Sequence, residues 1–481
     1  MVLLLFNCKS WARNSGESDK DSSRTLTLEQ ISRLALNNSL DIQIARISSL
    51  IAKTGLEKEL SLFDFFLNSG LSLRNDEKKT SSSLLGSRTD TKIYSLDLDK
   101  RLSSGTGLRI KAAEQRTSTD SALSSASPEK QAELGLSITQ PLARNFFGFS
   151  DRAGIKITRL DIKQAEYASV NDIESSLADT QKAYWNLVLK KQELLIKKSL
   201  LTEAERLHSV YRENFKLGLV ETGDLYATEA NLRIKENEVI QAELFADTAK
   251  NDLLFLINIT DIKTELEPED NLELVPLSAD LLQALNKAIR SRRDYQQALL
   301  NAESQKIKLA VAKNALWPEI DLTASFTRNG IDPRRSEAWD QIKDENNDEL
   351  YLGLNFSTAL EKRKEKAELK KAGLKKKQAL LSVKKTEQLI LKDICNRVRE
   401  TNSLKSKIEL FEQVADLQEK KLAEEMKKLK YGRSGADIVI RYENDLLQSR
   451  LDLARAYFDF RVSLIDLDLT QNTLLDRYLD E

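Results

Sequence analysis

Two long stretches of this chain repeat apolar positions every three or four residues. From Leu225 to Leu256 the stripe positions alternate between steps of three and four without a break, and a similar stripe leads up to Lys216. This spacing is typical of one face of a helix packed against other helices. Between the two stripes, Gly218 can adopt the left-handed conformation that ends a helix. The pattern predicts a helical hairpin here, and a similar turn at residues 430–437 predicts a second one.

Six shorter segments alternate apolar and polar residues with a period of two. Such alternation predicts strands that each have one apolar face. Four of these segments lie in the first half of the chain and two in the second. Their apolar positions are Leu67, Leu71, Leu73, Tyr94, Leu96, Leu98, Leu108, Ile110, Leu134, Leu136, Ile138, Ile320, Leu322, Ala324, Phe326, Leu352, Leu354 and Phe356. The chain is therefore predicted to be mainly α-helical, with two groups of amphipathic strands.

The same order of elements occurs twice: a helix, strands, a long helix, a turn and a returning helix. Residues 35–45 align with residues 288–298 at a constant offset of 253. An internal repeat of this kind defines the fold. The predicted divisions are an N-terminal signal remnant and tether (1–26), a first repeat (27–258, with strands at about 62–141 and a helical hairpin at about 151–258), an equatorial linker (259–277), a second repeat (278–475, with strands at about 318–357 and a hairpin at about 360–470) and a C-terminal tail (476–481).

Neither half of the chain has enough strands to close a barrel alone. An open sheet with free edges is not tolerated in hydrocarbon, because its unpaired backbone groups would lack partners. The economical solution is that several copies pool their strands into one closed barrel and their long helices into a tube. Such an assembly would be a conduit.

Composition argues against several other classes of function. The 74 Lys and Arg residues are balanced by 75 Asp and Glu residues, whereas a general nucleic-acid-binding protein carries a basic excess. Two cysteines, Cys8 and Cys395, and one histidine, His208, cannot form a disulfide framework, a thiolate metal site or a histidine-based active site within one chain. We therefore expect no enzyme activity and no cofactor.

The N-terminal residues contain a possible lipidation site. Leu5-Phe6-Asn7-Cys8 resembles a relaxed lipobox, the motif that ends a bacterial lipoprotein signal. The stretch before it lacks a positively charged region and is short for a signal. Two interpretations stay open: lipidation of Cys8, with a true start further upstream, or a frayed N-terminus with an incidental cysteine.

The order and spacing of several motifs make the chain resemble the TolC family of bacterial outer-membrane efflux proteins. The resemblance covers about Thr27 to Leu475. The motifs that carry it are Leu28-Glu29-Gln30 through Ala35-Leu36 to Asp41, Ser137-Ile138-Thr139-Gln140-Pro141-Leu142, Ala183-Tyr184-Trp185-Asn186-Leu187, Leu217-Gly218-Leu219 and Tyr431-Gly432.

This resemblance implies a homotrimer in the bacterial outer membrane, in contact with its lipid. Family members join a membrane β-barrel, shared between protomers, to an α-helical barrel in the periplasm. They serve as passive exit ducts of tripartite efflux pumps or type I secretion systems. A periplasmic adaptor protein docks at their helical tips and connects them to an inner-membrane transporter. No nucleic acid is expected as a partner.

The resemblance also implies site residues at the two helical turns. Leu217, Gly218 and Leu219, together with Tyr431, Gly432 and Arg433, would contact the adaptor, although a glycine-containing turn is also what any helical hairpin needs. Asp224 and Asp437 would form acidic rings that narrow the periplasmic mouth and favour cations. Both also have a simpler interpretation, because an aspartate at a helix start complements the helix dipole.

One feature departs from the family pattern. Family members usually contribute four strands per protomer and twelve per trimer, but this chain has an added candidate hairpin at about Lys92 to Arg116. Two extra strands would preserve the alternation between the two faces of a wider barrel. Alternatively, the hairpin projects from a twelve-stranded barrel. We favour the projecting hairpin, because barrel pairing must match across the two repeats.

The alternative function is that of a non-conducting coiled-coil scaffold of the cell envelope. The alternating strands at Leu67 to Arg74 and Ile320 to Thr327 argue against it, because a pure coiled coil has no use for them. The exported cargo is left open among drugs, metal ions and proteins.

Overall fold

The computed structural model describes residues 24–79, 86–122, 124, 127–261, 264–273 and 279–479. Cys8 lies outside these residues. In chain order, the helices and strands of the described residues are β1 (Arg24–Leu26), α1 (Leu28–Asn38), α2 (Leu40–Leu60), β2 (Phe65–Asp76), β3 (Thr89–Arg101), β4 (Gly107–Thr119), β5 (Glu129–Pro141), α3 (Phe149–Lys216), α4 (Thr222–Leu256), β6 (Leu266–Pro268), α5 (Leu281–Ser291), α6 (Arg293–Asn314), β7 (Glu319–Asp332), α7 (Arg335–Asp344), β8 (Asp348–Ser357), α8 (Arg363–Lys430), α9 (Ala436–Gln471) and α10 (Asp476–Leu479).

Two helices dominate the fold. Helices α3 and α8 have 68 residues each, which at 1.5 Å per residue corresponds to about 100 Å. The five prolines among the described residues, Pro128, Pro141, Pro268, Pro318 and Pro333, lie outside the long helices, as expected from the cost of proline in a helix interior. Among the described residues, none of the helices combines the length and apolarity needed to cross a membrane.

Six of the eight described strands form one antiparallel sheet, in the order β2-β3-β4-β5-β7-β8. The added hairpin is β3–β4, and it lies inside this sheet between β2 and β5. The expectation of a projecting hairpin is therefore wrong. Its backbone groups pair along the full strand length, from Phe65–Lys100 to Asp76–Thr89 on one side and along β5 on the other. Because the insertion adds two strands, the direction of β5 is unchanged and β5 still pairs with β7 antiparallel. The strands of the two repeats can therefore pair despite the insertion.

Both repeats contain the same break in their first helix. Ser39 separates α1 from α2, with φ −56° and ψ 130°. The helical spacing of apolar positions predicts one continuous helix here. Arg292 separates α5 from α6 in the same way, with φ −64° and ψ 116°. The two positions differ by the repeat offset of 253. In each case the N–H of the break residue still donates to a helical carbonyl, of Ala35 or Ala288, so the break leaves that donor paired.

Besides β1 in the predicted tether and α10 in the predicted C-terminal tail, two further elements lie in segments that the pattern predicts as irregular. Strand β6 falls in the linker and pairs in parallel with β1. Helix α7 falls in a polar loop between β7 and β8, and it buries Ala338 and Ile342 against Ala132 of β5. Arg335 Nε of α7 also lies 2.6 Å from Glu114 Oε2 of β4. Three turns of helix are too short for a clear apolar stripe, which explains why the pattern misses α7.

The described residues form two compact units. One is drawn from the described parts of residues 1–46, 170–292 and 390–481, and the other from the described parts of residues 47–169 and 293–389. Each unit takes segments from both sequence repeats. The first has a helical core around Tyr184, Leu187 and Leu253. The second contains the six-stranded sheet.

Candidate functional site

The first turn is a glycine-dependent end of helix α3. Gly218 has φ +71°, and the N–H of Leu219 donates to the carbonyl of Asn214 at 2.9 Å. This bond satisfies one of the carbonyl groups that a helix end leaves free. Leu217 and Leu219 are 71% and 70% exposed. The turn geometry needs the glycine but does not need two exposed leucines.

The second turn repeats this geometry at the end of α8. Gly432 has φ +69°, and the N–H of Arg433 donates to the carbonyl of Lys428 at 3.0 Å. Tyr431 is 80% exposed. Both predicted contact segments are thus solvent-facing turns with the same hydrogen-bond pattern and one large exposed side chain before the glycine.

A buried cluster holds the two hairpin ends together. Leu207 and Tyr211 near the end of α3 pack with Ala436 and Val439 at the start of α9, and Val220 of the first turn packs against them. The structure therefore brings the first turn and the second turn to the same end of the helical unit.

The charges of the two predicted constriction residues both act on Tyr211, a member of this cluster. The pKa of Tyr211 is raised, first by burial and then by the negative charges of Asp224 and Asp437. Each aspartate also lies in the first turn of its helix, where a carboxylate complements the helix dipole. The charges of both aspartates thus reach Tyr211, and each aspartate also has a purely helical role.

The second turn has a brace that the sequence analysis missed. Ser434 Oγ donates to Glu425 Oε1 at 2.6 Å, and Lys428 Nζ donates to Glu425 Oε2 at 2.9 Å. The hydrogen bond from Ser434, followed by that from Lys428, lowers the pKa of the Glu425 carboxyl group. This arrangement ties the turn back to the last part of α8.

A buried polar layer lies between helices α4 and α9. Glu443 of α9 is 1% exposed, and neither of its carboxyl oxygens has a hydrogen-bond partner among the described residues. Lys235 of α4 is also buried, and its Nζ donates to Asn444 Oδ1 at 2.7 Å. Burial, and then the charge of Glu203, raise the pKa of Glu443 to about 7; Lys235 and the nearby amide of Asn231 oppose this rise.

The sequence contained a signal for this layer. Glu443 falls on the three-and-four spacing that also places Val439 and Leu446 in the buried stripe. A carboxylate on such a stripe predicts burial of a titratable group, but the sequence analysis did not single it out.

The six-stranded sheet carries a continuous apolar band on one face. Beyond the band, the same face carries Glu114 and the ion pair of Arg328 with Asp348. Strand registers align the apolar positions across all five pairings, for example Leu98 with Ile110 and Ile110 with Leu136. Most of these side chains are exposed in the single chain. The apolar face consists of Leu67, Leu71, Leu73, Tyr94, Leu96, Leu98, Leu108, Ile110, Leu134, Leu136, Ile138, Leu322, Ala324, Phe326, Leu350, Leu352 and Leu354.

The opposite face of the sheet is polar and carries cross-strand ion pairs. Arg109 Nε lies 2.6 Å from Asp99 Oδ1, and Lys111 Nζ lies 3.0 Å from Glu133 Oε1. Asn68 Nδ2 donates to Asp99 Oδ2 at 3.0 Å. The two faces therefore differ as sharply as the lipid-facing and water-facing sides of a membrane sheet.

Exposed aromatic side chains collect where the strands meet the helical segments. Phe65 begins β2, Phe356 lies near the end of β8, and Trp317 precedes β7. Phe146 and Phe147 follow β5 and stack edge to face, with ring centroids 4.7 Å apart. Aromatic residues are enriched at the boundary between lipid and water.

Among the described residues, no group of three or more His, Cys, Asp or Glu side chains is placed to hold a metal ion.

Comparison with known proteins identifies the fold. No protein-family model and no curated protein matches the chain. Among solved structures, it is similar to the Campylobacter jejuni CmeC outer membrane channel, at 15% identity and a TM-score of 0.69, covering 97% of this chain and 94% of that one.

Two more outer-membrane structures are similar over nearly their whole length. The Vibrio cholerae outer membrane protein VceC is 17% identical, with a TM-score of 0.68 over 93% of this chain and 95% of that one. The open state of the Neisseria gonorrhoeae MtrE outer membrane channel is 15% identical, with a TM-score of 0.67 over 93% and 89%. This chain therefore has the fold of the outer-membrane channel proteins, which confirms, at the level of the fold, its resemblance to the TolC family.

Proposed function

We propose that this chain is one subunit of a homotrimeric outer-membrane channel. The trimer would serve as the passive exit duct of a tripartite efflux pump or a type I secretion system, without catalysis of its own. The observation that carries this proposal is the apolar face that runs unbroken across the six strands and is exposed in the single chain. The outer-membrane channel fold supports it.

Strand length and edge chemistry favour a membrane-spanning, shared sheet. The six strands have 10 to 14 residues, and about 9–11 tilted residues suffice to cross the hydrocarbon of a bilayer. Exposure of an apolar surface that extends across six strands is unfavourable in water, and such a surface marks an interaction with lipid or protein. In lipid every backbone donor and acceptor needs a partner, so the two sheet edges require closure with further copies into a barrel.

We place the adaptor contact at the two turns. Leu217, Leu219 and Tyr431 are exposed apolar or aromatic side chains on rigid, hydrogen-bonded turns. Their cluster at one end of the helical unit gives a single docking area. The adaptor would link this area, in the periplasm, to an inner-membrane transporter that supplies the energy.

A charge at the first turn should weaken docking of the adaptor without disturbing the assembly. For Leu219→Glu we expect at least about a tenfold loss of adaptor affinity, equivalent to about 1.4 kcal/mol, because the exposed leucine would be replaced by a hydrated charge. Surface plasmon resonance with the periplasmic adaptors of the host bacterium measures this loss. The matched control is Leu219→Met, which keeps an exposed apolar side chain at the same position and should leave the affinity unchanged. Unchanged affinity of Leu219→Glu, with normal trimer mass, would place the contact elsewhere.

We further propose that Asp224 and Asp437 form acidic rings at the periplasmic mouth. In a trimer each carboxylate is present three times, and a narrow site focuses its field. Asp437→Ala should therefore lower the ratio of cation to anion permeability at least about twofold at low salt, where screening is weak. The reversal potential in a salt gradient reports this ratio. Asp247→Ala, an exposed aspartate of α4 paired with Lys250 at 3.3 Å, is the control, and equal reversal potentials in both variants would leave the aspartates only a helical role.

Fractionation separates the channel from the alternative scaffold. The channel is expected in the outer-membrane fraction, with electrophoretic migration that changes on heating because the closed sheet resists detergent. A protein released by salt washing without detergent, with no heat-dependent migration, would favour the non-conducting scaffold.

A further inference from the structure

We propose that hairpin β3–β4 forms part of the wall of the closed sheet, which then contains six strands from each of three copies, eighteen in all. Strand β8 of each copy would pair with strand β2 of the next. This inference rests on the proposed trimeric channel. It departs from the twelve strands that the family resemblance implies.

Backbone pairing integrates the hairpin completely. Strands β3 and β4 pair with each other from Thr89–Thr119 to Arg101–Gly107. β3 pairs along the whole of β2, and β4 pairs with β5 from Gly107–Thr139 to Thr117–Glu129. A twelve-stranded wall would need β2 beside β5, yet two full-length strands separate them. Moving the hairpin out of the wall would break both ladders.

Side-chain chemistry makes the hairpin equivalent to its neighbours. Leu96 and Ile110 lie on the same face as Leu136, and all three are exposed. On the other face, the ion pairs Arg109–Asp99 and Lys111–Glu133 join β4 to the strands on both sides. A projecting hairpin would expose its apolar face to water or leave these charges against lipid. Placement in the wall gives lipid to one face and water to the other.

The two open edges fit a second copy of this chain. β2 and β8 are the outermost strands, with 12 and 10 residues. Neighbouring strands are antiparallel throughout, so an even number of strands leaves β8 and β2 running in opposite directions. The apolar band reaches both edges, at Leu71 and at Leu352. Edge pairing between copies would therefore be antiparallel and would continue the band.

The extra strands would widen the outer end of the duct. Barrel diameter grows roughly linearly with strand number, so with strands about 4.8 Å apart and tilted by about 40°, twelve strands give a backbone diameter of about 24 Å and eighteen give about 36 Å. Walls of 16–18 strands leave an aqueous channel. The lining contains paired charges of both signs, so this end of the duct would admit large polar cargo without strong charge selection.

Lipid accessibility of the hairpin tests the proposal. Single cysteines are introduced at Leu96 and Ser95 of β3, at Ile110 and Lys111 of β4, and at the reference pair Leu136 and Ser137 of β5, with Cys8 and Cys395 replaced by serine. Each variant is labelled with a fluorophore and reconstituted in phosphatidylethanolamine–phosphatidylglycerol vesicles containing a spin-labelled lipid. We expect at least about threefold stronger quenching at positions 96 and 110 than at 95 and 111, equal to the contrast between 136 and 137.

The outcomes separate this inference from the proposed function. A difference in quenching between positions 136 and 137, without such a difference in β3 and β4, would overturn the eighteen-stranded wall. The proposed channel function would still stand. No contrast at any pair would overturn the membrane sheet itself, and with it both proposals.

Edge closure has its own measurement. Leu71→Cys is combined in turn with Leu350→Cys, Leu352→Cys and Leu354→Cys, and oxidation should produce covalent oligomers on a non-reducing gel for at least one pair. The control, Leu71→Cys with Tyr94→Cys, joins positions that are paired within one chain and should cross-link without forming oligomers. Cross-linking of the control alone would overturn pairing of β8 with β2.

Discussion

An arginine in place of Leu136 should prevent the sheet from assembling in a membrane. Leu136 lies on the apolar face of β5, between Ile110 of β4 and Phe326 of β7. Burying a lipid-facing arginine near the middle of a membrane strand costs about 2–4 kcal/mol, and a trimer would carry this cost three times. We expect loss of the heat-resistant oligomer in vesicles and of the protein from the outer-membrane fraction.

The adjacent residue provides the control for Leu136→Arg. Ser137 lies on the polar face of the same strand, opposite Arg109 and Ser325. Ser137→Arg should still fold and assemble, because its side chain would face water and the like charge of Arg109 opposite it costs at most about 1 kcal/mol. Equal assembly of the two variants would contradict the assignment of the apolar face to lipid.

Replacing Glu443 by glutamine should stabilise the protein at alkaline pH. Burial raises the pKa of Glu443 to about 7 from a usual value of 4.5. Below pH 4.5 the carboxyl group is protonated in both the folded and the unfolded chain, so it has no effect. Between pH 4.5 and 7 the unfolded chain loses the proton that the folded chain keeps, so the free energy of unfolding falls as pH rises. Above pH 7 the full penalty of about 3 kcal/mol remains.

Glutamine has the same shape and no charge to bury, so the variant should escape this penalty. We expect the free energy of unfolding of Glu443→Gln to exceed that of the native chain by about 3 kcal/mol per subunit at pH 8 and to equal it at pH 4. Guanidinium unfolding followed by circular dichroism measures both values. The control is Glu424→Gln, an exposed glutamate of α8 whose ion pair with Lys427 is also exposed and contributes little. Parallel pH dependences of the native chain and Glu443→Gln would contradict a buried titrating carboxylate.

Local patterns predicted the elements whose stability depends on periodic burial. The stripe from Leu225 to Leu256 became α4, and the alternation at Leu134 to Ile138 became part of β5. The two glycine turns were also predictable, because few residues other than glycine adopt a positive φ readily. The fold class, mainly helical with a sheet, followed from these elements and agrees with the structural neighbours.

The position of hairpin β3–β4 could not be predicted from alternation alone. Two inserted strands preserve the direction and facing of every later strand, so the same pattern fits a projecting hairpin and a widened sheet. Register decides between them, and it depends on pairings such as Leu71–Tyr94 and Leu108–Ile138 that join residues distant in sequence. The expectation that barrel pairing must match across the two repeats did not exclude a widened sheet. Hairpin β3–β4 begins and ends at the same end of the sheet, so the direction of β5 is unchanged.

The candidate site was predicted in its parts but not in its packing. Turn residues Gly218 and Gly432 are local features, whereas their meeting depends on contacts of Tyr211 with Ala436 and Val439 across more than two hundred residues of sequence. The brace on Glu425 and the layer around Glu443 likewise depend on which helices are neighbours. The adaptor contacts, the acidic rings and lipidation of Cys8 stay predictions.

Conductance of the purified protein in a planar bilayer, with its oligomer mass determined in parallel, tests the central claim most directly. A trimeric channel predicts discrete conductance steps from a particle of three subunits. A monodisperse monomer or dimer that gives no conductance would contradict the channel and favour the scaffold, with the outer-membrane channel fold retained for another purpose.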